Sequence, residues 1–420
     1  MKTKQQIQFW IRQKLLLIVA MSFGLVLSAQ NNLVTVYGKV VDKKNNPLEA
    51  VSINVNQSNI ATVTNTEGEF VLKVPERLES GIITISLLGY KSRMIQLSVL
   101  RDDAKDIILQ EDATQLSAVN IEAYKSAESL VRKVFSRLGG NTNKAAYMTA
   151  FYRETIKRRN RNVSLTEAVV NILKQPHVVG RRDAVKLNKA RKITDYKRLD
   201  TISIKLQGGP FSTLHLDVMK YPDFIFTDEA FDYYAFTFSQ PTVINDRNVY
   251  VVNFEPKKEG LNMTYFGKLF IDVQSIALVS AEYSLDLSNK ARSRNLLVRK
   301  RPNDVIVYPM EANYKVDYKQ QGKQWYYSYS NLYLKFKVNK KRQLFNKVYT
   351  LSSEMAVTDW EINTEDKTIA RKDRLRPSVI ITDAISGFSD PDFWGEYNLI
   401  EPDKSIERAI EKIKKNLEKS

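Results

Sequence analysis

From Leu33 to Gln110 the chain is written in a two-residue rhythm. Apolar side chains fall at alternate positions in short bursts: Val36 and Val40, Val51 to Val55, Phe70 to Val74, Ile83 to Leu87, and Ile95 to Val99. Neighbouring side chains of a strand point to opposite faces, so each burst predicts a strand with one face buried. Turn residues separate the bursts at Asp42 to Pro47, Asn65 to Gly68 and Leu88 to Tyr90. Pro47 has no N–H to give a sheet and belongs at a turn. Gly68 supplies the positive φ that a tight turn takes. Strands this short and this closely spaced predict a compact antiparallel sandwich over 33–110.

A second rhythm follows. Glu111 to Ala123 alternates weakly through Leu116, Val119 and Ile121 and reads as a last strand or a linker. Ser126 then stands as an N-cap before Leu130, Val131, Val134, Phe135 and Leu138, a stripe that Gly139 ends; this predicts a helix over 126–138 inside a connection of 111–145. Strand patterning returns beyond Tyr147. Tyr265 to Ile271 and Ile276 to Leu285 flank a turn at Asp272 to Ser275, and Tyr314 to Tyr318 and Trp325 to Tyr329 flank another at Gln320 to Lys323. The fold class is therefore mainly β: a sandwich, then over 146–400 a larger curved antiparallel sheet rich in aromatic residues, with a few helices. Over 401–420, Asp403 or Ser405 caps an amphipathic helix with Ile406, Ala409, Ile410, Ile413 and Leu417 on one side and Lys412, Lys414, Lys415 and Lys419 around it.

Residues 1–30 have the order of a secretory signal peptide: Lys2, Lys4, Arg12 and Lys14, an apolar run from Leu15 to Leu27, then Ser28-Ala29-Gln30. The run is shorter than the ~20 residues a spanning helix needs. The expected mature chain is exported, periplasmic or associated with an outer membrane. The sequence has no Cys, which removes disulfides, thiolate metal sites and thiol nucleophiles together. A formal charge of +17 is spread over clusters such as Lys157 to Arg159, Lys189 to Lys192 and Lys412 to Lys415. Export argues against nucleic acid as the partner of that charge. An anionic membrane surface is the alternative to plain solvated charge.

The chemistry-bearing residues are few. Two histidines, His177 and His215, are present, and neither begins the His-x-x-Glu pair that a zinc peptidase uses to hold its metal. A Gly-x-Ser-x-Gly elbow and a phosphate-cradling glycine loop are both missing. Asp217, Asp223, Asp228, Glu229 and Asp232 gather near His215 among aromatic residues, in a pattern that fits loop and strand-edge positions. Asp390-Pro391-Asp392 reads as a turn. No catalytic, cofactor-binding or metal residue is assigned. A hydrolase built on His215, Asp217 and nearby acids is the alternative.

Gly38-x-Val40-x-Asp42, Pro47-Leu48-x-Ala50-Val51, Thr62-x-Thr64-Asn65-x-x-Gly68-x-Phe70 and Leu88-Gly89-Tyr90 resemble the carboxypeptidase regulatory-like domain, a transthyretin-like β-sandwich. Asn65 stands where that family usually has Asp. The resemblance implies a spacer or interaction module without catalytic residues. Tyr265 to Asp272 followed by Ile276 to Glu282 is similar to repeats of the half-barrel lipoprotein carriers. With Phe151-Tyr152-Arg153-Glu154, Leu206 to Pro210 and Asp392 to Tyr397, the whole chain resembles Bacteroidetes carboxypeptidase-like regulatory domain-containing proteins. What these resemblances imply is a non-enzymatic envelope protein, binding another envelope protein or a lipid-like amphiphile, with no cofactor.

Overall fold

The computed structural model describes residues 32–102, 106–112, 124–137, 144–159, 161–177, 180–194, 205–222, 225–226, 230–257, 265–341, 345–384, 394–408 and 411. The signal segment, the Leu116 to Ile121 alternation, Asp223, Asp228, Glu229, the Asp390 turn and most of the C-terminal helix lie outside the described residues.

The first body is a sandwich of two sheets. Strands β1 (Leu33–Val41), β4 (Glu69–Pro75) and β7 (Ile107–Ile108) form one, in the order β4-β1-β7. Strands β2 (Ser52–Val55), β3 (Ala61–Val63), β5 (Ile82–Ser86) and β6 (Arg93–Gln96) form the other, in the order β3-β2-β5-β6. Val36, Val40, Ile53, Phe70, Leu72, Ile83 and Ile85 meet between them, almost wholly buried. Gly68 has φ +75°, and a Cβ there would sit 2.3 Å from the Val40 carbonyl oxygen, so the turn requires glycine. One expected strand is corrected: the run from Ile95 to Val99 stops at Gln96, and helix α1 (Leu97–Asp102) begins. Leu97 and Leu100, three apart on one helical face, are the positions it buries.

The second body is one ten-stranded antiparallel sheet, ordered β10-β9-β8-β17-β16-β15-β14-β13-β12-β11. Its strands are β8 (Ala146–Arg158), β9 (Arg161–Lys174), β10 (Ala184–Thr194), β11 (Tyr234–Ile244), β12 (Arg247–Pro256), β13 (Tyr265–Asp272), β14 (Leu278–Leu285), β15 (Val305–Gln321), β16 (Gln324–Lys340) and β17 (Lys347–Ile362). Every link but one joins consecutive strands; the exception is β8 beside β17.

The inner face of this sheet is packed. Helix α2 (Ala127–Ser136), whose Ser126 side chain accepts from the Ser129 amide, brings Leu130, Val131 and Val134 onto it. Helix α3 (Pro210–Leu214) adds Phe211 and Leu214. Phe226 fills the space between Phe254 and Phe135, with ring centroids 5.1 Å from each. Among the described residues, the inner face of the sheet is covered by the chain's own helices and rings. The short helix α4 (Lys290–Leu297) lies against β15, and α5 (Ile381–Ala384) buries Ile381 in the same core.

The outer face meets the sandwich. Val63 joins Phe151, Val169, Tyr329 and Ala356 in a second apolar cluster, together with Trp394 and Ile400. The last two belong to an irregular stretch, 394–403, that lies as a strap between the two bodies. The Asn398 side chain bonds both backbone groups of Lys73, accepting at 2.6 Å and donating at 3.0 Å. Thr62 donates to the Leu399 carbonyl at 2.8 Å. Asp403 caps the helix that opens at 404, accepting from the Ile406 amide at 2.8 Å.

Candidate functional site

Strand register lines up one residue from each of nine strands on the outer face. Asn253 lies opposite Lys268, Lys268 opposite Glu282, Glu282 opposite Lys315, and Lys315 opposite Asn331. The row continues through Glu354, Arg153, Glu167 and Arg191. Charge alternates along it, with Asn331 inserted between Lys315 and Glu354. Opposite charges directly across strands attract, and like charges repel, so this order supports the register that creates it.

Half of the row is buried under the strap. Arg153 and Glu167 approach to 2.8 Å with side chains 3% and 1% exposed, and Arg191 holds the other Glu167 oxygen at 2.6 Å. Arg153 also reaches Glu354 at 3.4 Å and donates to the carbonyls of Ile400, at 2.6 Å, and Glu401, at 3.3 Å. Trp394 packs edge-on to Phe151 at 5.6 Å, with the Arg191 guanidinium 5.2 Å from its ring centre. A buried charge is tolerated where its hydrogen-bonding capacity is met, and Arg153 meets that condition. Burial works to lower the Arg153 pKa; Glu167 and Glu354 outweigh it, so the group stays charged. The Glu354 carboxyl is raised by burial, against the pull of Arg153.

The other half is open. A cleft of about 530 Å³ separates the sandwich from the sheet, with Glu49 and Thr66 on one wall, Lys157, Lys315 and Ser352 on the other, and Asp403 at the strap. Burial, then the charge of Glu354, raises the Glu49 carboxyl, while Lys315 and Lys157 oppose this. A second hollow of about 550 Å³ carries Asn253, Phe266, Lys268 and Glu282. Lys315 and Asn331 line both, so the two are one trough along the row. Lys315 reaches Glu282 at 3.1 Å.

The residues singled out in the sequence lie elsewhere. Asp217 lies in the loop after α3, as expected, and its side chain is fully buried there. Lys174 stands 2.7 Å from it and 2.8 Å from Asp183, and the Tyr318 hydroxyl donates to it at 2.9 Å. Burial acts to raise the Asp217 pKa, and Lys174 outweighs it and leaves it lowered. Lys174 is raised because Asp183 and Asp217 outweigh its own burial. His177, 3.8 Å from Asp217, is lowered to about 4 by burial. His215 ends α3 and packs against Tyr221 and Phe211, with centroids at 5.0 and 5.7 Å; burial lowers its pKa too. Asp232 is exposed and reaches Arg132 at 3.3 Å. Lys174, Asp183 and Asp217 thus form a buried ionic cluster, with Asp232 outside it. Among the described residues, no group of three or more His, Asp or Glu side chains is placed to hold a metal ion.

The charge row was not visible in the sequence, because its members are scattered from Arg153 to Glu354 and only pairing assembles them. Phe151-Tyr152-Arg153-Glu154, Tyr265 to Asp272 and Ile276 to Glu282 each carry one member of it, Arg153, Lys268 and Glu282. The Lys189 to Lys192 run also changes meaning. Arg191 closes the buried row, and Lys192 donates to the Thr382 carbonyl at 2.5 Å, so these cations are fixed within the fold.

Residues 36–121 match the family model of the CarboxypepD_reg-like domain, so the sandwich carries such a domain. No curated protein gives a significant match to the chain. Among solved structures, the chain is similar to an outer membrane lipoprotein-sorting protein domain from Vibrio parahaemolyticus, 12% identical, covering 59% of this chain and 95% of that one with a TM-score of 0.25. It is also similar to a LolA superfamily protein of Nitrosomonas europaea, 10% identical, covering 61% of this chain and all of that one (100%) with a TM-score of 0.21.

Proposed function

We propose that this chain is an exported, non-catalytic binding module of the cell envelope, which takes its ligand or partner in the trough between sandwich and sheet. The observation that carries the reading is the cleft of about 530 Å³ walled by two bodies, a volume and a position typical of ligand sites. A lipid-like amphiphile or a protein of the outer membrane is the occupant class that the export signal and the family of the sandwich suggest. The alternative, a hydrolase on His215 and Asp217, is disfavoured by the burial of Asp217 and its pairing with Lys174.

The test uses the chain from residue 31 onward, purified from the envelope fraction and extracted for mass spectrometry beside a Ser352→Trp variant that fills the cleft. A ligand carried by the first and missing from the second, with both melting alike, supports the reading. A clean extract from both counts against it. Hydrolysis of a panel substrate, lost in both His215→Ala and Asp217→Asn, would reverse the preference.

A further inference from the structure

The two halves of the charge row repeat one local pattern. In β8, Phe151 and Arg153 are two apart on the outer face, with the guanidinium 5.3 Å from the phenyl centre. The strap completes the pair, laying Trp394 on the phenyl and backbone carbonyls on the guanidinium. In β13, Phe266 and Lys268 have the same spacing on the same face, opposite Ser284 and Glu282. Nothing among the described residues covers them: Phe266 is 46% exposed and Lys268 is exposed. An aromatic ring beside a cation, with amides at Asn253 and Asn331 along the row, offers an apolar seat together with donors for carbonyl oxygens.

We propose that the open half of the row is a docking groove for an extended polypeptide segment of a partner protein. One large apolar side chain rests on Phe266, and its backbone carbonyls accept from Lys268, Lys315 and Asn331. This rests on the reading of the trough as a binding site and names its occupant. Continuity with the strap carries the choice, because the same row already holds one irregular polypeptide segment by its ring and backbone carbonyls. Alternating charge carries it further: Lys268, Glu282 and Lys315 leave a net charge of only +1, which suits backbone dipoles better than a polyanion. Five strands, β12 to β16, at ~4.8 Å spacing make a trough of roughly 19 Å, the reach of about six extended residues.

The probe is a fluorescein-labelled, end-capped peptide with the strap's own sequence, residues 394–403, carrying a photoreactive group and titrated by anisotropy into the chain from residue 31 onward. Saturable binding with cross-links on β13 to β16, weakened tenfold or more in Lys268→Glu/Phe266→Ser with the melting temperature kept, is the expected result. Cross-links confined to β8 to β10 would mean exchange with the internal strap and would overturn the proposal. So would equal binding by the two proteins, no binding at all, or equal binding of a poly-glutamate peptide of the same length. If the peptide fails while Ser352→Trp still expels a co-purified ligand, the trough remains a binding site and only its occupant is wrong.

Discussion

The covered and open halves of the charge row have similar ingredients and different consequences. Under the strap, Arg153 and Glu167 are dry, fully bonded and indispensable to the joint between the bodies. In the trough, Lys268 is exposed and the Lys315–Glu282 pair is partly open to water, where screening leaves an ion pair worth little. The difference lies in what lies on top, since the strand pairing below is the same. A row of charges is structural where the chain covers itself and available for recognition where it does not.

Equal sensitivity of the two halves would break this comparison. Arg153→Met leaves Glu167 buried with one partner fewer and is expected to cost about 3–5 kcal/mol in urea unfolding. Lys268→Met should stay within about 0.5 kcal/mol of the parent. Trp394→Ala, which removes the ring on Phe151, is expected to cost about 3 kcal/mol and to raise the protease sensitivity of the strap. Asn398→Ala gives up two bonds to the Lys73 backbone and should cost about 1–2 kcal/mol, seen as a lower melting temperature.

The same joint also carries a pH slope. Lys319 donates to Asn54 of the sandwich at 2.6 Å, and burial lowers its pKa to about 8. The unfolded chain therefore holds more protons than the folded one between about pH 8 and 10.5, and stability from this group rises with pH across that window. Lys319→Met should flatten the slope there. An unchanged slope would place its origin in another group.

Local patterns were legible where local physics decides. The Ser126 cap with its apolar stripe, the Asp272 and Gln320 turns and the alternation of the sandwich strands follow from spacing and turn chemistry. The run from Ile95 to Val99 misled because Leu97 and Leu100 serve a helix as readily as alternate positions serve a strand. The site itself was hidden for a different reason. The partners of Asp217 were hidden because Lys174 and Tyr318, which bind it, lie far away in sequence. The row needed nine strands in register before its charges met. The excess of basic residues was read as solvated, yet part of it is what binds the strap.

The seam between β8 and β17 decides when this molecule can exist at all. Arg153 and Glu354 are 201 positions apart, and β8 has no neighbour on that side until β17 arrives. Closing so long a loop is slow, and a sheet of such non-local pairings folds late. A chain interrupted before residue 347 would hold β8 to β10 as a three-stranded fragment with a long bare edge, the form in which strands pair with the wrong chain. Synthesis must therefore run nearly to its end before the middle of the sheet is safe.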